Sequence, residues 1–145
     1  MMNTISLKQA GLMALLLLTV GFAATPAAHA ADKQGVVIQV SDNDPAKWNL
    51  ALNNAKNVQH DLGKGNVQIE IVAYGPGINM LKKDSDVGPR LDEATMDGVT
   101  VSACQNTMKA QKLTEKDMHS SVAYVPAGVV EIIKKEKAGW AYVRP

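Results

Sequence analysis

The single cysteine of the chain, Cys104, follows a short run of β-branched residues and precedes a short helical pattern. Residues 99–103 predict a strand that begins after Gly98, and the helical pattern begins near Gln105. A cysteine at such a strand-to-helix turn lies among free backbone N–H groups at the positive end of a helix, which favours thiolate over thiol. This position therefore predicts that Cys104 acts as a nucleophile or as a sulfur acceptor.

Three roles remain open for this cysteine, because a lone cysteine cannot form a disulfide within its own chain. It could be an inert buried residue, one half of an intermolecular bridge, or a reactive thiol. Dithiol redox chemistry is excluded within one chain, since there is no Cys-x-x-Cys motif. A Cys–His dyad would need His60 or His119, and the predicted elements place both away from the end of the strand. The strand-end position itself favours the reactive thiol.

Other candidate ligands have simpler explanations. Asp42, Asn43 and Asp44 could bind a ligand or an ion, but turn formation and helix capping account for these residue types. The Gly-Pro-Gly turn at 75–77 lacks both glycine patterns of phosphate-binding loops. A soft-metal site would need ligand spacing that is missing here, and methionine commonly fills cores, so we predict no metal and no cofactor. The residues weighed for that metal site are Met80, Met96, Met108, Met118, Cys104 and His119.

The elements that must position Cys104 alternate between strand and helix along the chain. Apolar runs predict five strands, and amphipathic or capped segments predict helices between them, which indicates an α/β fold with a mostly parallel sheet and helices on both faces. A charged stretch at 82–89 predicts a surface loop. The predicted strands are 36–40, 67–74, 99–103, 122–125 and 140–143, and the main helices are 45–62, 91–97, 105–112 and 129–137.

A parallel sheet places its sites in a crevice at the carboxyl ends of its strands. This rule brings four turns to one edge of the sheet, at 41–44, 75–77, 104–107 and 126–128. We therefore expect Cys104 to face a crevice that Asn43, Gly75 and Pro126 help to form.

The first 30 residues have the pattern of a secretory signal peptide. Lys8 precedes an apolar run at 11–24, and small residues at Ala28 and Ala30 form a cleavage motif. The run of 14 residues is shorter than the roughly 20 that span a bilayer. We expect cleavage after Ala30, no membrane attachment afterwards, and export to the periplasm if the source is Gram-negative.

The predicted mature chain, residues 31–145, is one small domain without net charge. The full chain has 15 basic and 14 acidic residues, and the loss of Lys8 leaves 14 of each. Nucleic acids and anionic membranes bind proteins with an excess of basic residues, and a domain without net charge has no such excess. We therefore expect neither as a partner.

Several motifs in the mature chain resemble the DsrE/DsrF-like family, and most closely its small exported members. The resemblance covers most of the mature chain and is strongest in the C-terminal half, where a cysteine turn, a Pro-Ala-Gly turn and a Gly-aromatic-Ala-Tyr end follow in order. The motifs are Val99 with ACQNTM at 103–108, LTEKD at 113–117, VPAGV at 125–129 and GWAYVRP at 139–145.

The resemblance implies a three-layer α/β/α fold, a homotrimer or homohexamer, and a role in sulfur relay with Cys104 as the persulfide-bearing residue. Asn106 and Thr107 match the turn of the family. We expect a sulfur carrier or a sulfurtransferase-type relay protein that works with a sulfur donor or acceptor protein; whether it is an enzyme stays open. The alternative is a non-enzymatic oligomeric protein that binds a small ligand and has a structural cysteine. The candidate substrate-binding residues are Asn43, Gly75, Asn106, Thr107 and Pro126.

Overall fold

The computed structural model describes residues 33–145, and the predicted signal peptide lies outside these residues. Within them, no helix combines the length and apolar character that crossing a bilayer requires. The strands are β1 (Gln34–Val40), β2 (Val67–Ala73), β3 (Thr100–Cys104), β4 (Ala123–Val125) and β5 (Ala141–Val143). The helices are α1 (Pro45–Leu62), α2 (Gly88–Met96), α3 (Gln105–Ala110) and α4 (Gly128–Lys137), with 3₁₀ helices at Gly75–Leu81 and Glu115–Asp117.

The five strands form one sheet in the order β4-β3-β2-β1-β5, and every neighbouring pair is parallel. The predicted α/β fold is therefore confirmed, with a sheet that is parallel throughout its described strands. The order places β3 between β2 and β4, so the turns after these three strands are neighbours. β5 joins β1 at the far edge, which requires the connection through α4 to cross the whole sheet.

The larger core lies between the sheet and α1 with α2. Side chains of β1 alternate between the faces, so Val36, Ile38 and Val40 point into this core. The apolar stripe of α1, which includes Trp48, Ala51, Leu52 and Ala55, covers them. Ile38 is fully buried, and burial of such a side chain is worth about 1.5–3 kcal/mol. This core holds the sheet that presents the turn at Cys104.

The opposite face of the sheet packs against α4 and has a much smaller apolar core. Its buried apolar residues are Val37, Val72 and Ile132, with Tyr74, Val125 and Trp140 packed at their margins. Helix α4 contacts β1, β2, β3 and β5, as its crossing connection requires. The fold thus has three layers, and the layer formed by α4 is the thinner one.

Helix α2 begins earlier than the sequence predicted. Residues 82–89 were expected to form a surface loop, but α2 begins at Gly88, and both Val87 and Gly88 are buried. Proline is tolerated in the first turn of a helix because its missing N–H would have no partner there, so Pro89 starts the helix instead of preventing it.

Candidate functional site

Cys104 is the last residue of β3 and the residue that immediately precedes α3. Its register partner across the neighbouring strand is Val125 of β4. Because Ala103 belongs to the larger core, the alternation of the strand turns Cys104 toward the face that α4 covers. The residue is 5% exposed, so its sulfur lies beneath the surface of this face.

The pKa of the Cys104 thiol is set by burial and by four nearby hydrogen-bond donors. Burial raises the pKa of this thiol, but hydrogen bonds from the Thr107 hydroxyl and from the backbone N–H groups of Gly128, Thr107 and Asn106 outweigh burial, so the pKa lies below its ordinary value. Donors of this kind stabilise the charged form of the group that accepts them. The turn therefore favours a thiolate in a site that is mostly closed to water.

The Thr107 hydroxyl is oriented by the turn after β2. Its Oγ1 accepts a hydrogen bond from the backbone N–H of Gly75 at 2.9 Å. A hydroxyl that accepts one bond still has its own proton to donate, and here that proton is directed to the sulfur. Gly75 has a φ of 54°, a left-handed conformation that favours glycine, and its carbonyl accepts a bond from Gln111 Nε2 at 3.2 Å. Gly75 is thus held on both sides by residues of the Cys104 turn and its helix.

The turn after β4 supplies the Gly128 donor and an acceptor for a second N–H. The Pro126 carbonyl accepts a hydrogen bond from the Asn106 N–H at 3.2 Å, so this N–H is shared between the carbonyl and Cys104. Gly128 then begins α4 directly over the cysteine: a Cβ atom there would lie 3.2 Å from Cys104 Cβ and 3.1 Å from Tyr74 Cβ. The absence of a side chain at Gly128 allows the helix to approach closely enough for its N–H to reach the sulfur.

Tyr74 forms an apolar wall of the site. It packs with Val125 at the margin of the smaller core, and it lies against Gly128. Burial raises the pKa of Tyr74, and the nearby charges of Tyr142, Asp42 and Cys104 act in the same direction against Arg144. The phenol therefore stays neutral beside a Cys104 thiolate.

The structure brings four of the five predicted binding residues to the cysteine and leaves one apart. Gly75, Asn106, Thr107 and Pro126 surround Cys104 through the bonds described above. Asn43 follows β1, which β2 separates from β3, so the two strands lie about 10 Å apart. Its Oδ1 accepts a hydrogen bond from Asn79 Nδ2 at 3.1 Å. The bonds that surround Cys104 do not include Asn43, and its contribution to the crevice stays a prediction.

The remaining candidates have structural roles in the described residues. Asp44 caps α1 by accepting a bond from the Ala46 N–H at 2.9 Å, and Asp42 pairs with Lys47 at 2.9 Å. His60 is exposed beside Asp61, and His119 is bonded to Ser121 at the opposite end of β4. Among residues 33–145, no three His, Cys, Asp or Glu side chains converge as metal ligands would. The methionines are divided between the core (Met80, Met108 and Met118) and the surface (Met96).

A polar cluster near the cysteine was not predicted from the sequence. Glu70 of β2 is 3% exposed, and its two carboxylate oxygens bind Lys135 Nζ at 2.7 Å and Ser102 Oγ at 2.6 Å. Ser102 precedes Cys104 by two residues and shares its face of the sheet. The signal that could have revealed the cluster is an acidic residue within the otherwise apolar segment IEIVA, because a buried carboxylate requires a partner.

Solved structures with the same fold include three proteins that were described without an assigned function or by name alone. A protein of unknown function from Methanobacterium thermoautotrophicum, MTH1491, is 35% identical, with a TM-score of 0.74 over 78% of this chain and 100% of its own. A conserved protein of unknown function from Bacteroides thetaiotaomicron, BT1422, is 16% identical, with a TM-score of 0.63 over 77% of this chain and 95% of its own. The ychN protein of E. coli is 10% identical, with a TM-score of 0.64 over 78% of this chain and 99% of its own.

The family comparison covers the whole of the described structure. Among curated proteins, none matches this chain. The model of the DsrE/DsrF-like family matches residues 32–145, and MTH1491 shares the fold at substantial sequence identity. The chain therefore belongs to the DsrE/DsrF-like family.

Proposed function

We propose that this protein is a sulfur carrier in which Cys104 accepts sulfane sulfur and holds it as a persulfide. The observation that supports the proposal most strongly is the position of Cys104 at a strand-to-helix turn, under Gly128, where donors from Thr107, Asn106 and Gly128 lower the pKa of its thiol. A purely packing cysteine needs no such donors, because a thiol is a weak hydrogen-bonding group. Donors that stabilise a negative sulfur serve a thiolate before transfer and a persulfide anion after it.

The proposed reaction is a thiol exchange at sulfur. The Cys104 thiolate attacks the terminal sulfur of a donor persulfide R–S–SH, a new S–S bond forms, and the donor S–S bond breaks to release R–S⁻. With thiosulfate as donor, the leaving group is sulfite. No external oxidant is required, because the transferred sulfur is already in the sulfane state.

The surrounding residues have distinct roles in this proposal. The Thr107 hydroxyl and the Thr107 N–H bind the anionic sulfur, and Gly75 orients Thr107. The Asn106 N–H is shared between the sulfur and the Pro126 carbonyl of the neighbouring turn. Asn43 is assigned no contact with the sulfur, since it is bonded to Asn79. Because Cys104 is mostly buried, the donor should be a small polysulfide or an extended persulfide side chain and not a broad protein surface.

We also propose that the protein is exported and assembles as a homotrimer or homohexamer. Export is supported by the signal-peptide pattern of residues 1–30. Assembly is supported by exposed large apolar side chains on α4 and β5, which are 42–50% exposed. Exposed apolar residues that form a patch commonly mark interfaces. We call this surface the α4 patch; it comprises Val129, Val130, Ile133 and Tyr142.

One observation favours a second function. The 5% exposure of Cys104 also suits a structural cysteine in an oligomeric protein that binds a small ligand without chemistry. The two functions differ in what happens to the thiol in the native protein. Under the carrier function it reacts, whereas under the binding function it stays inert and its replacement destabilises the fold.

Intact-mass analysis after exposure to polysulfide or thiosulfate tests the carrier function. The native protein should gain mass in steps of one sulfur atom, and Cys104→Ser should gain none while keeping its fold and oligomeric state. An unmodified wild-type mass together with a destabilised Cys104→Ser variant would favour the binding function. N-terminal sequencing of exported material should begin at Ala31, and a chain that retains residues 15–18 would contradict export by cleavage.

A further inference from the structure

Helix α4, whose Gly128 N–H is a donor to Cys104, has only a small apolar contact with the sheet. Its inward stripe runs through Gly128, Ile132 and Lys135, at spacings of four and three residues. Ile132 is the buried apolar side chain of this helix, and it joins only Val37 and Val72 in the buried part of the smaller core. A helix held by so small an apolar contact has few constraints on its rotation about its axis.

The exposed apolar residues of α4 do not fix its orientation on the sheet. Val129, Val130 and Ile133 are 44–50% exposed, so they contribute little to the contact with the sheet, and apolar packing against rotation of the helix about its axis rests mainly on Ile132. Such a rotation would move the Gly128 N–H away from the sulfur. Some other interaction must therefore select the orientation that is observed.

The polar cluster of Glu70, Ser102 and Lys135 lies at the other end of the inward stripe and can select the orientation of α4. Lys135 Nζ lies 2.7 Å from the Glu70 carboxylate, 3.6 Å from Glu131 and 4.1 Å from the centre of the Trp140 ring. Glu70 is itself fixed by Ser102. A buried ion pair adds little net stability compared with apolar residues of the same volume, but it penalises every arrangement that separates its charges. Rotation of α4 would withdraw Lys135 from a carboxylate that is 3% exposed.

We propose that the Glu70–Lys135 ion pair is a positioning lock that holds α4 in the orientation that places the Gly128 N–H on Cys104. The lock acts through the helix, two turns from the cysteine, and neither residue contacts the sulfur in this account. This proposal rests on the proposed function, in which the Cys104 thiolate accepts sulfur. The effect of the ion pair on the thiol pKa can be measured without any sulfur transfer.

The directions of the thiol pKa shifts in two variants distinguish the lock from a simple electric-field effect. Removal of a nearby negative charge lowers a thiol pKa, and removal of a positive charge raises it. A field effect therefore predicts opposite shifts for Glu70→Gln and Lys135→Met. Loss of the positioning lock predicts that both variants raise the thiol pKa, because both release the same N–H donor.

The test is the pH profile of iodoacetamide alkylation of Cys104 in the full protein. Glu70→Gln and Lys135→Met should each move the midpoint upward by about one pH unit, which is a tenfold loss of thiolate below the midpoint. Gly128→Ala, which crowds the same contact, should move it in the same direction. Lys134→Met, an exposed lysine on the same helix, and Glu93→Gln, from an exposed ion pair with Lys56, are matched controls that should leave it unchanged.

Opposite shifts in the two single variants, or no shift in either, would overturn the proposal. If one single variant fails to fold because an unpaired charge is buried, the double variant Glu70→Gln with Lys135→Met removes both charges and the field effect with them. Its midpoint should still rise, and an unchanged midpoint in a folded double variant would contradict the lock. Persulfide formation by the wild type is measured separately, so failure of the carrier function would be recognised by an unmodified wild-type mass with the midpoint shifts intact.

Discussion

The backbone N–H of Gly75 donates a hydrogen bond of 2.9 Å to the hydroxyl oxygen of Thr107, and this bond directs the hydroxyl proton to Cys104. Two consecutive strands of the sheet are joined through it, since Gly75 follows β2 and Thr107 belongs to the helix after β3. The lowered pKa of the thiol thus depends on the pairing of these strands as well as on the local turn.

Replacement of Thr107 should raise this pKa without a large change in the shape of the site. Thr107→Val removes the hydroxyl and should raise the Cys104 pKa by about one to two units, since a hydrogen bond to a charged group is worth about 1.5–3 kcal/mol. Thr107→Ser keeps the hydroxyl and should leave the pKa near that of the wild type. The midpoint of the alkylation rate against pH gives the Cys104 pKa of the wild type and of both variants. Equal midpoints for Thr107→Val and Thr107→Ser would show that the hydroxyl has no role.

Stability should depend on pH through Cys104 in a defined direction. The pKa of the folded thiol is lowered, whereas the unfolded thiol titrates at about 8.5. Between these two values the unfolded state binds more protons, so the stabilisation rises with pH through this window. It is fully present above the unfolded pKa and is lost as pH falls through the folded pKa.

Urea denaturation of the wild type and of Cys104→Ser at a series of pH values measures this contribution. Other titrating groups are common to both proteins and cancel in the difference of their unfolding free energies. The difference should grow in favour of the wild type as pH rises toward 8.5. A difference that shrinks over the same window would mean that the fold favours the neutral thiol.

The parts of the fold that the sequence predicted are those that depend on local pattern. Strands buried on both faces, such as IEIVA in β2, appear as continuous apolar runs, and helix α1 appears through its stripe and its Asp44-Pro45 start. The turn that carries Cys104 was predicted because it follows from the order of strand and helix along the chain.

Non-local features were not accessible from the same pattern. The carboxyl-end rule places all turns on one edge but does not give the order of the strands along it, and the observed order puts Asn43 beyond β2 from the cysteine. The donor at Gly128 and the Glu70–Lys135 ion pair depend on the path of α4 back across the sheet. Their residues are far apart in the chain, so spacing alone could not bring them together.

The α4 patch should mediate assembly of the proposed oligomer. Ile133→Glu places a charge in an apolar interface and should reduce the mass in solution to that of a single chain, because the charge would be desolvated without a partner. Met96→Glu is the matched control, since Met96 is 87% exposed on α2 and on the other face of the sheet. Light scattering measures the mass in solution of the wild type, of Ile133→Glu and of Met96→Glu. A wild-type mass of one chain at micromolar concentration would count against assembly altogether.

The most direct test of the central claim is whether sulfur that Cys104 has accepted can be passed on. The protein is loaded with polysulfide, freed of the donor, and then treated with cyanide, which attacks the outer sulfur, forms thiocyanate and regenerates the Cys104 thiolate. For a sulfur carrier, the intact mass should rise on loading in steps of one sulfur and return to its original value with one thiocyanate formed for each sulfur gained. Cys104→Ser should show neither change. A wild-type protein that takes up no sulfur, or that takes it up and cannot release it to cyanide, would contradict the claim that it is a sulfur carrier.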